Sequence, residues 1–410
     1  ENIRPESILS SVEGKTDQPS AAVAVDGRVY VVWSGGKSGE LNISYSDIAQ
    51  ASTEIDWSAP EVIFSGPSAA TDPVLKIGQD GTLYVAYLVP LNEERGVYVI
   101  NSPDRGESWS APTRVFDAAA QKCDMVEHLS FTITNQDAQH LSWMCSTVPG
   151  GTGTFAFKYA NSFDFGQTWA ETHESEEMRV LWGEVAGLNR EDLHLIWLEE
   201  TEGGFQLWDQ VSVDDGRTWP AAKVIETFED EIGPSSIAID PGGQLFLTVI
   251  AQDAAKILLH SLIWNGETWT SLDDFTLATG WINLVDSLST IVLPQGELVV
   301  VYSLENPTAS SDLLYNSLLT LSHPVTVKPA LSLLTPSSTH PTAEAASTPV
   351  PGISTSEPSN LTPITQPTVD LQALKEEAAP RMNNLWIYAI GAILAVVVVV
   401  FTFLLRQHKH

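Results

Sequence analysis

Short apolar runs occur in pairs along roughly the first 320 residues of the chain, and turn residues separate the two runs of a pair. Asp26-Gly27 and Asp80-Gly81 are two of these turns. Runs rich in β-branched and aromatic residues on either side of an Asp-Gly turn predict a β-hairpin. The predicted pairs are residues 21–25 and 29–33, 73–77 and 83–87, 129–134 and 139–143, 179–186 and 193–198, 236–239 and 245–250, and 288–293 and 298–302.

A second pattern follows most of these pairs. Residues 102–109, 162–169 and 212–219 share the phrase S-x-D-x-G-x-[ST]-W, and residues 44–57 and 264–269 are fainter copies. The tryptophans of the five copies lie at positions 57, 109, 169, 219 and 269. A phrase that returns about every 50 residues indicates a repeated supersecondary unit. We therefore predict an all-β fold, a six-bladed β-propeller with four short strands in each blade.

The ends of the predicted ring lie far apart in sequence. The sixth unit has a third strand near residues 313–321 but lacks the repeated phrase, whereas residues 5–9 resemble residues 60–64, which follow the first copy. We expect the N-terminal segment to close the ring as the outer strand of the last blade, which removes an exposed sheet edge. The propeller is then predicted to occupy residues 1–330.

The repeated phrase resembles the Asp-box (BNR repeat) of the sialidase-like β-propellers. Asp and Ser side chains accept backbone hydrogen bonds at a tight turn, Gly takes a positive φ, and the Trp ring covers the turn. The resemblance implies that the boxes lie on the face opposite the substrate funnel, so that they count blades and catalyse nothing. The structural box residues are Asp104, Gly106, Trp109, Asp164, Gly166, Trp169, Asp214, Gly216 and Trp219.

The resemblance also implies a catalytic constellation that this chain departs from. Sialidases of this fold hold the substrate carboxylate with three arginines, one in an Arg-Ile-Pro motif, and use a Tyr nucleophile paired with Glu plus an Asp acid/base. The chain has Ile3-Arg4-Pro5 instead, and of the propeller arginines only Arg95 and Arg179 are expected near the funnel. The weak catalytic candidates are Asp72, Glu127 and Tyr302.

We call the face that carries the boxes the box face and the opposite one the funnel face. The funnel face collects the starts of the inner strands and the loops after the second strands, and its residues are strongly acidic. This pattern fits a solvated rim, or a funnel for a cation, an amine-bearing ligand or a basic protein patch. The candidate binding residues are Asp17, Asp72, Glu127, His128, Glu184, Asp286 and Arg95.

Charge and cysteine content narrow the classes of partner. The formal net charge is −32, from 52 acidic and 20 basic residues, which argues against nucleic acid because phosphate binding needs a basic footprint. Cys123 and Cys145 either form a disulfide, as outside the cytoplasm, or remain two buried thiols. No metal-ligand spacing and no cofactor motif are present, so we expect no metal and no cofactor.

The C-terminal part of the chain differs from the rest. Residues 331–384 contain a Pro/Thr/Ser-rich stretch that is typical of a disordered stalk, and residues 385–405 carry no charge. As a helix this segment spans about 31 Å, which fits a single-pass transmembrane helix better than a buried core helix. Basic residues in 406–410 indicate a cytoplasmic tail, with the propeller outside the cell membrane. The chain begins with Glu1, and we expect that a signal peptide has been removed.

Three functions follow from these features. The first is a non-catalytic, membrane-anchored, extracytoplasmic propeller that binds a protein or a glycan through its acidic funnel face. The second is an exo-sialidase or another glycoside hydrolase, since hydrolysis of neutral sugars needs only two suitably placed carboxylates. The third is an accessory structural subunit of a membrane complex, docked through its propeller and its single helix.

Overall fold

The computed structural model describes residues 17–36, 39–47, 57–147, 155–175, 179–229, 232–240, 242–253, 256–279, 287–292, 297–305 and 314–322. Every regular element in this part of the chain is a β-strand. None of the described residues belongs to a helix that is long and apolar enough to cross a membrane. The closing strand predicted at residues 5–9, the candidate Asp286, the stalk, the span at 385–405 and the tail at 406–410 lie outside the described residues.

The strands form antiparallel sheets in which chain neighbours pair. The first sheet contains β1 (Asp17–Val23), β2 (Arg28–Gly35), β3 (Glu40–Asp47) and β4 (Glu61–Phe64). The second contains β5 (Thr71–Ile77), β6 (Leu83–Val89), β7 (Gly96–Ser102) and β8 (Thr113–Asp117). The third contains β9 (Met125–Ile133), β10 (Gln139–Ser146), β11 (Ala156–Ser162) and β12 (Ala170–Glu174). The fourth contains β13 (Val180–Asn189), β14 (Asp192–Thr201), β15 (Gly204–Ser212) and β16 (Lys223–Phe228).

The last two sheets depart from the four-strand pattern. In the fifth sheet the outer strand is split, since β20 and β21 both pair with β19. The sixth is a three-stranded sheet among the described residues. Their strands are β17 (Ile232–Ile239), β18 (Leu245–Asp253), β19 (Lys256–Trp264), β20 (Trp269–Ser271), β21 (Phe275–Thr279), β22 (Ser287–Val292), β23 (Glu297–Glu305) and β24 (Leu314–Ser322).

The core lies between neighbouring sheets. The second strand of a sheet, such as β6 or β10, is buried at every position, whereas the outer strand β4 is exposed or half-buried. Strands covered on both faces read as continuous apolar runs, which is why the paired runs are visible in the sequence. Phe116 of the second sheet packs on Trp143 of the third, with ring centroids 5.1 Å apart.

Serine side chains join the innermost strands of neighbouring sheets. Ser20 Oγ on β1 accepts a hydrogen bond from the backbone N–H of Leu75 on β5, at 3.0 Å. The same bond recurs from Val185 to Ser130, at 3.3 Å, and from Thr290 to Ser236, at 3.1 Å. The serine position is equivalent in all three, four to six residues before the hairpin turn. These bonds fix the register of one inner strand against the next.

The Asp-boxes form tight turns at the ends of β7, β11 and β15. Asp104 Oδ1 accepts from the Ser102 hydroxyl at 2.7 Å and from the Ser108 N–H at 2.9 Å, while Gly106 N donates to Ser102 Oγ at 2.8 Å. The residue before the Gly also has positive φ, 65° at Arg105 and 94° at Gly106. The Ser108 hydroxyl and N–H hold the pKa of Asp104 down to about 2. The boxes of Asp164 and Asp214 repeat these bonds.

A buried ring supports the box turn of the following sheet. The ring is the second or third residue of the second strand in each of the first five sheets, and it is Tyr30, Tyr84, His140, His194 or Phe246. The Tyr30 hydroxyl donates to the carbonyl of Arg105, in the box of the second sheet, at 3.3 Å. The repeated box turns and the buried rings beneath them therefore connect one sheet to the next on the box face.

Candidate functional site

The inner strands β5, β9, β13, β17 and β22 surround a cavity of about 780 Å³. Its described lining is mostly apolar, with hydroxyls from Ser130, Thr132 and Thr290. Lys76 and Glu184 are the charged side chains among the described residues that line it. We call this cavity the central channel, because it runs between the innermost strands of different sheets.

Lys76 and Glu184 shape the electrostatics of the channel. Both side chains are half-buried, and burial in an apolar setting disfavours the charged form of each. Burial raises the pKa of Glu184 to about 7, although the Lys76 charge and a hydrogen bond from Trp182 oppose the rise. Burial lowers the pKa of Lys76, and Glu184 opposes that shift. Each of the two groups therefore shifts the pKa of the other toward its charged form.

A β-bulge marks the start of the inner strands at the funnel face. The pairing of β5 with β6 shifts between Thr71 and Val74, and the pairing of β9 with β10 shifts at the same place. The bulged residues are Asp72, with φ 48°, and His128, with φ 52°. A positive φ is strained for residues other than Gly, and such strain is concentrated at functional sites. The two side chains thus stand at equivalent positions of neighbouring sheets.

Glu127 and His128 were predicted to precede the inner strand, but they lie inside β9, because the bulge prolongs the pairing. Burial raises the pKa of the half-buried Glu127. His128 is an exposed residue at the funnel-face end of β9, and partial desolvation by the surrounding protein lowers the pKa of its imidazole to about 4. Among the described residues, neither side chain has a hydrogen-bond or ion-pair partner. The pair supplies a carboxyl group and a neutral imidazole.

Arg95 belongs to a loop contact rather than to the channel lining. Its Nε donates to the carbonyl of Cys123 at 2.7 Å and its Nη1 donates to the carbonyl of Asn92 at 2.9 Å. Asp124 lies 3.9 Å from its Nη2. Cys123 forms a disulfide with Cys145, and their Cα atoms are 5.6 Å apart. Arg95 therefore ties the loop after β6 to the segment that the disulfide fastens to β10.

None of the described arginines lines the central channel. Ion pairs or aromatic rings hold most of them elsewhere: Arg105 on Asp26 at 3.2 Å, Arg114 on Asp117 at 2.9 Å, Arg179 on Glu200 at 2.8 Å, Arg28 over the Tyr45 ring at 4.8 Å, and Arg217 over the Phe163 ring at 3.8 Å. Arg4 lies outside the described residues. Within the described chain no group of three or more His, Cys, Asp or Glu side chains is arranged to hold a metal ion.

The structure brings together only part of the predicted site. Asp72, Glu127 and His128 lie at the funnel-face ends of β5 and β9, and Glu184 lies within the channel. Asp17 is the first residue of β1 and Tyr302 belongs to β23. Sequence reasoning missed Lys76, although a charged residue between the apolar Leu75 and Ile77 of an inner strand was a signal for it.

No family model matches this chain, and no curated protein matches it. Solved structures do. A protein of unknown function from Dyadobacter fermentans has a TM-score of 0.56 at 16% identity over 78% of this chain and 97% of its own. The NanB sialidase from Streptococcus pneumoniae has a TM-score of 0.54 at 12% identity, covering 78% and 71%. The leech intramolecular trans-sialidase has a TM-score of 0.52 at 10% identity, covering 78% and 70%. The chain therefore has a sialidase-like β-propeller fold.

Proposed function

We propose that this protein is a non-catalytic, membrane-anchored propeller that binds a protein or glycan partner outside the cell through its funnel face. The observation that carries the proposal is the charge at the funnel-face ends of β5 and β9, where Asp72 and Glu127 contribute carboxyl groups, while no described arginine lines the channel and Glu184 inside it is opposed by Lys76. Carboxylates without a guanidinium clamp repel an acidic sugar and favour a neutral or amine-bearing partner.

The proposal includes an architecture for the whole chain. The six sheets are six blades, residues 5–9 close the last of them, residues 331–384 form the stalk, and residues 385–405 anchor the protein in the cell membrane with residues 406–410 in the cytoplasm.

Binding to a glycan array and pull-down of partners with the detergent-solubilised full chain test the function. We expect a ligand whose capture falls at least about tenfold in Glu127→Gln and in Asp72→Asn, since each change removes one carboxylate from the mouth. Glu107→Gln is the matched control, because Glu107 is exposed in a box on the other face.

The alternatives predict different results. An exo-sialidase or another glycoside hydrolase would turn over a fluorogenic glycoside, and Glu127→Gln would abolish the turnover. An accessory subunit would migrate on a native gel with other membrane proteins, and neither a glycan nor a soluble protein would bind to the isolated chain. Either result would overturn the proposal.

A further inference from the structure

Two side chains of opposite charge, Lys76 and Glu184, line the central channel without contacting each other. Lys76 and Glu184 come from the second and fourth sheets, with β9 of the third sheet between them. No ion pair within 4.0 Å joins them, and among the described residues the Lys76 ammonium has no hydrogen-bond acceptor. A half-buried charge that lacks a close partner is costly, and a ligand that supplies the partner gains what the protein lacks.

The two charges restrict the ligand that satisfies both. A simple anion that pairs with Lys76 meets the Glu184 carboxylate, and a simple cation that pairs with Glu184 meets the Lys76 ammonium. A molecule with a carboxylate at one end and an ammonium at the other complements both groups at once. The cavity of about 780 Å³ lies within the range of pockets that take small molecules.

The interior already uses its neutral polar groups within the protein. Ser130 Oγ lies 3.3 Å from both the N–H and the carbonyl of Val185, and Thr132 Oγ1 donates to the carbonyl of Gly187 at 3.1 Å. Thr290 Oγ1 shares a hydrogen bond with Thr248 Oγ1 at 2.5 Å. Hydroxyl recognition of a sugar therefore has few free donors here. The groups left for a ligand are the Lys76 ammonium and the Glu184 carboxylate, which accepts one hydrogen bond from Trp182 and can accept more.

We propose that the central channel binds a small zwitterion, with its carboxylate on the Lys76 ammonium and its ammonium on the Glu184 carboxylate. The ligand class is that of amino acids and short linear amino carboxylates. The remaining lining contributes apolar contact along the body of the ligand, from Val74, Leu129 and Ile237 among others. The proposal concerns the interior and does not depend on the partner proposed for the funnel face.

A homologous series of unbranched ω-amino acids that begins with glycine measures the spacing between the two charges. Binding to the full chain is followed by calorimetry, with the amine and the carboxylic acid of each length as singly charged comparisons. We expect one length to bind best, at least about tenfold more tightly than either comparison, because each charge-assisted contact contributes that much. The proposal is overturned if no zwitterion binds, or if the zwitterion binds no better than its singly charged analogues.

Two variants assign the contacts. Lys76→Met and Glu184→Gln each reduce the affinity of the best zwitterion to that of the corresponding singly charged analogue. Lys256→Met and Glu61→Gln change the same residue types at exposed positions outside the channel and leave the affinity unchanged. Wild-type affinity in either channel variant contradicts the assignment. Glycan or protein capture through Glu127 and Asp72 is measured on the same variants, so that failure at the mouth and failure in the interior are told apart.

A second measurement uses the unaltered chain, in case a channel variant does not fold. A small amine-acetylating reagent modifies Lys76 and Lys256, and peptide mass spectrometry follows each site. The amino group of the zwitterion also consumes the reagent, so the rate at Lys76 is divided by the rate at Lys256 in the same sample. We expect a saturating zwitterion to lower this ratio at least about tenfold, because a bound ligand covers Lys76 and not Lys256. An unchanged ratio contradicts the proposal.

Discussion

His140 and His194 occupy the same position in consecutive sheets, yet their surroundings give them opposite charge states. His140 Nδ1 shares a hydrogen bond of 2.7 Å with the Tyr159 hydroxyl, and its Nε2 lies 3.2 Å from Asp215. His194 lies between two carboxylates, with Asp209 2.9 Å from Nδ1 and Asp192 3.1 Å from Nε2. Both rings are completely buried. The same position of the repeat thus holds a neutral imidazole in the third sheet and an imidazolium in the fourth.

The balance between burial and neighbouring charge explains the difference. At His140 burial outweighs the single carboxylate of Asp215 and lowers the pKa. At His194 burial also lowers the pKa, but the bonds to Asp192 and Asp209 outweigh it and raise the pKa to about 9. A second carboxylate is therefore enough to reverse the direction.

The comparison shows how a turn that has lost the Ser and Asp of the box still contacts the preceding sheet. His140 contacts the box of the next sheet, at residues 212–219, which keeps its Ser and Asp. His194 contacts the turn of the fifth sheet, at residues 264–269, which has Trp264 and Asn265 instead. There Trp264 Nε1 donates to Asp192 and Trp269 Nε1 donates to Asp209, both at 2.8 Å. A buried ionic cluster joins the fourth and fifth sheets where the box has lost its acid.

Removing one carboxylate of this cluster has the largest expected effect. Asp209→Asn leaves the imidazolium with one charged partner and should lower the free energy of unfolding by about 3 kcal/mol, since breaking a buried ion pair is strongly destabilising. Asp215→Asn at the equivalent His140 should cost about 1 kcal/mol, because that imidazole is neutral. Urea unfolding followed by tryptophan fluorescence measures both. Equal losses would refute the difference in charge state.

The pH dependence of stability should separate the two histidines by sign. The pKa of His194 is raised in the folded state, so its contribution is complete below about pH 6.5 and is lost as the pH rises toward about 9, a change of about 3 kcal/mol. The pKa of His140 is lowered, so its contribution is present above about pH 6.5 and is lost as the pH falls. His194→Phe should remove the alkaline fall and leave the acidic limb unchanged, whereas His140→Phe should only weaken the acidic limb, because the box carboxylates also contribute to it. An unchanged alkaline limb in His194→Phe contradicts the assignment.

Tyr159→Phe sharpens the comparison from the neutral side. It removes the hydroxyl bonded to His140 Nδ1 and leaves a buried ring nitrogen without that partner, at a cost of about 1.5 kcal/mol. The contacts of Trp219 with the Tyr159 ring remain, because Phe keeps the ring. Thermal unfolding by circular dichroism measures the change. A cost as large as that of Asp209→Asn would mean that the position with the neutral ring is as demanding as the one with the charged ring.

The smallest expected difference concerns the turns themselves. Asp214 accepts bonds from the Ser212 hydroxyl and from the N–H and hydroxyl of Thr218, so Asp214→Ala should cost about 1 kcal/mol. Asn265 Oδ1 accepts the N–H groups of Glu267 and Thr268, and its Nδ2 donates to Thr268 Oγ1 at 3.2 Å. Because these bonds are to a neutral amide and not to a carboxylate, Asn265→Ala should cost a few tenths of a kcal/mol less. Urea midpoints of the two variants test the order. A larger loss at Asn265 would show that the degenerate turn depends on its own side chain after all.

Local patterns predicted much of the fold. The paired apolar runs correspond to the inner and second strands, because strands buried on both faces show continuous apolar sequence, and the boxes appear at the ends of β7, β11 and β15. The bulges at Asp72 and His128 were not predicted, because an extra unpaired residue leaves no mark in the apolar pattern. The bonds of Arg95 to the carbonyls of Cys123 and Asn92 were not predicted either, because they depend on a loop contact between two sheets.

The features that could not be predicted from the sequence depend on contacts between different sheets. Asp192, Asp209, Trp264 and Trp269 meet around His194 only after three hairpins have folded, and no single turn contains them. Lys76 and Glu184 likewise face one cavity from strands two sheets apart. A motif search finds residues that act within a turn, whereas these groups act across the fold.

The serine bonds between inner strands make three backbone amides sensitive to the separation of neighbouring sheets. The N–H groups of Leu75, Val185 and Thr290 donate to a side chain of the preceding sheet. Their hydrogen exchange therefore requires that sheet to move away, which fraying within one sheet does not achieve. The exchange rates of the three amides therefore report how often neighbouring sheets separate. A ligand that fills the channel should slow all three together.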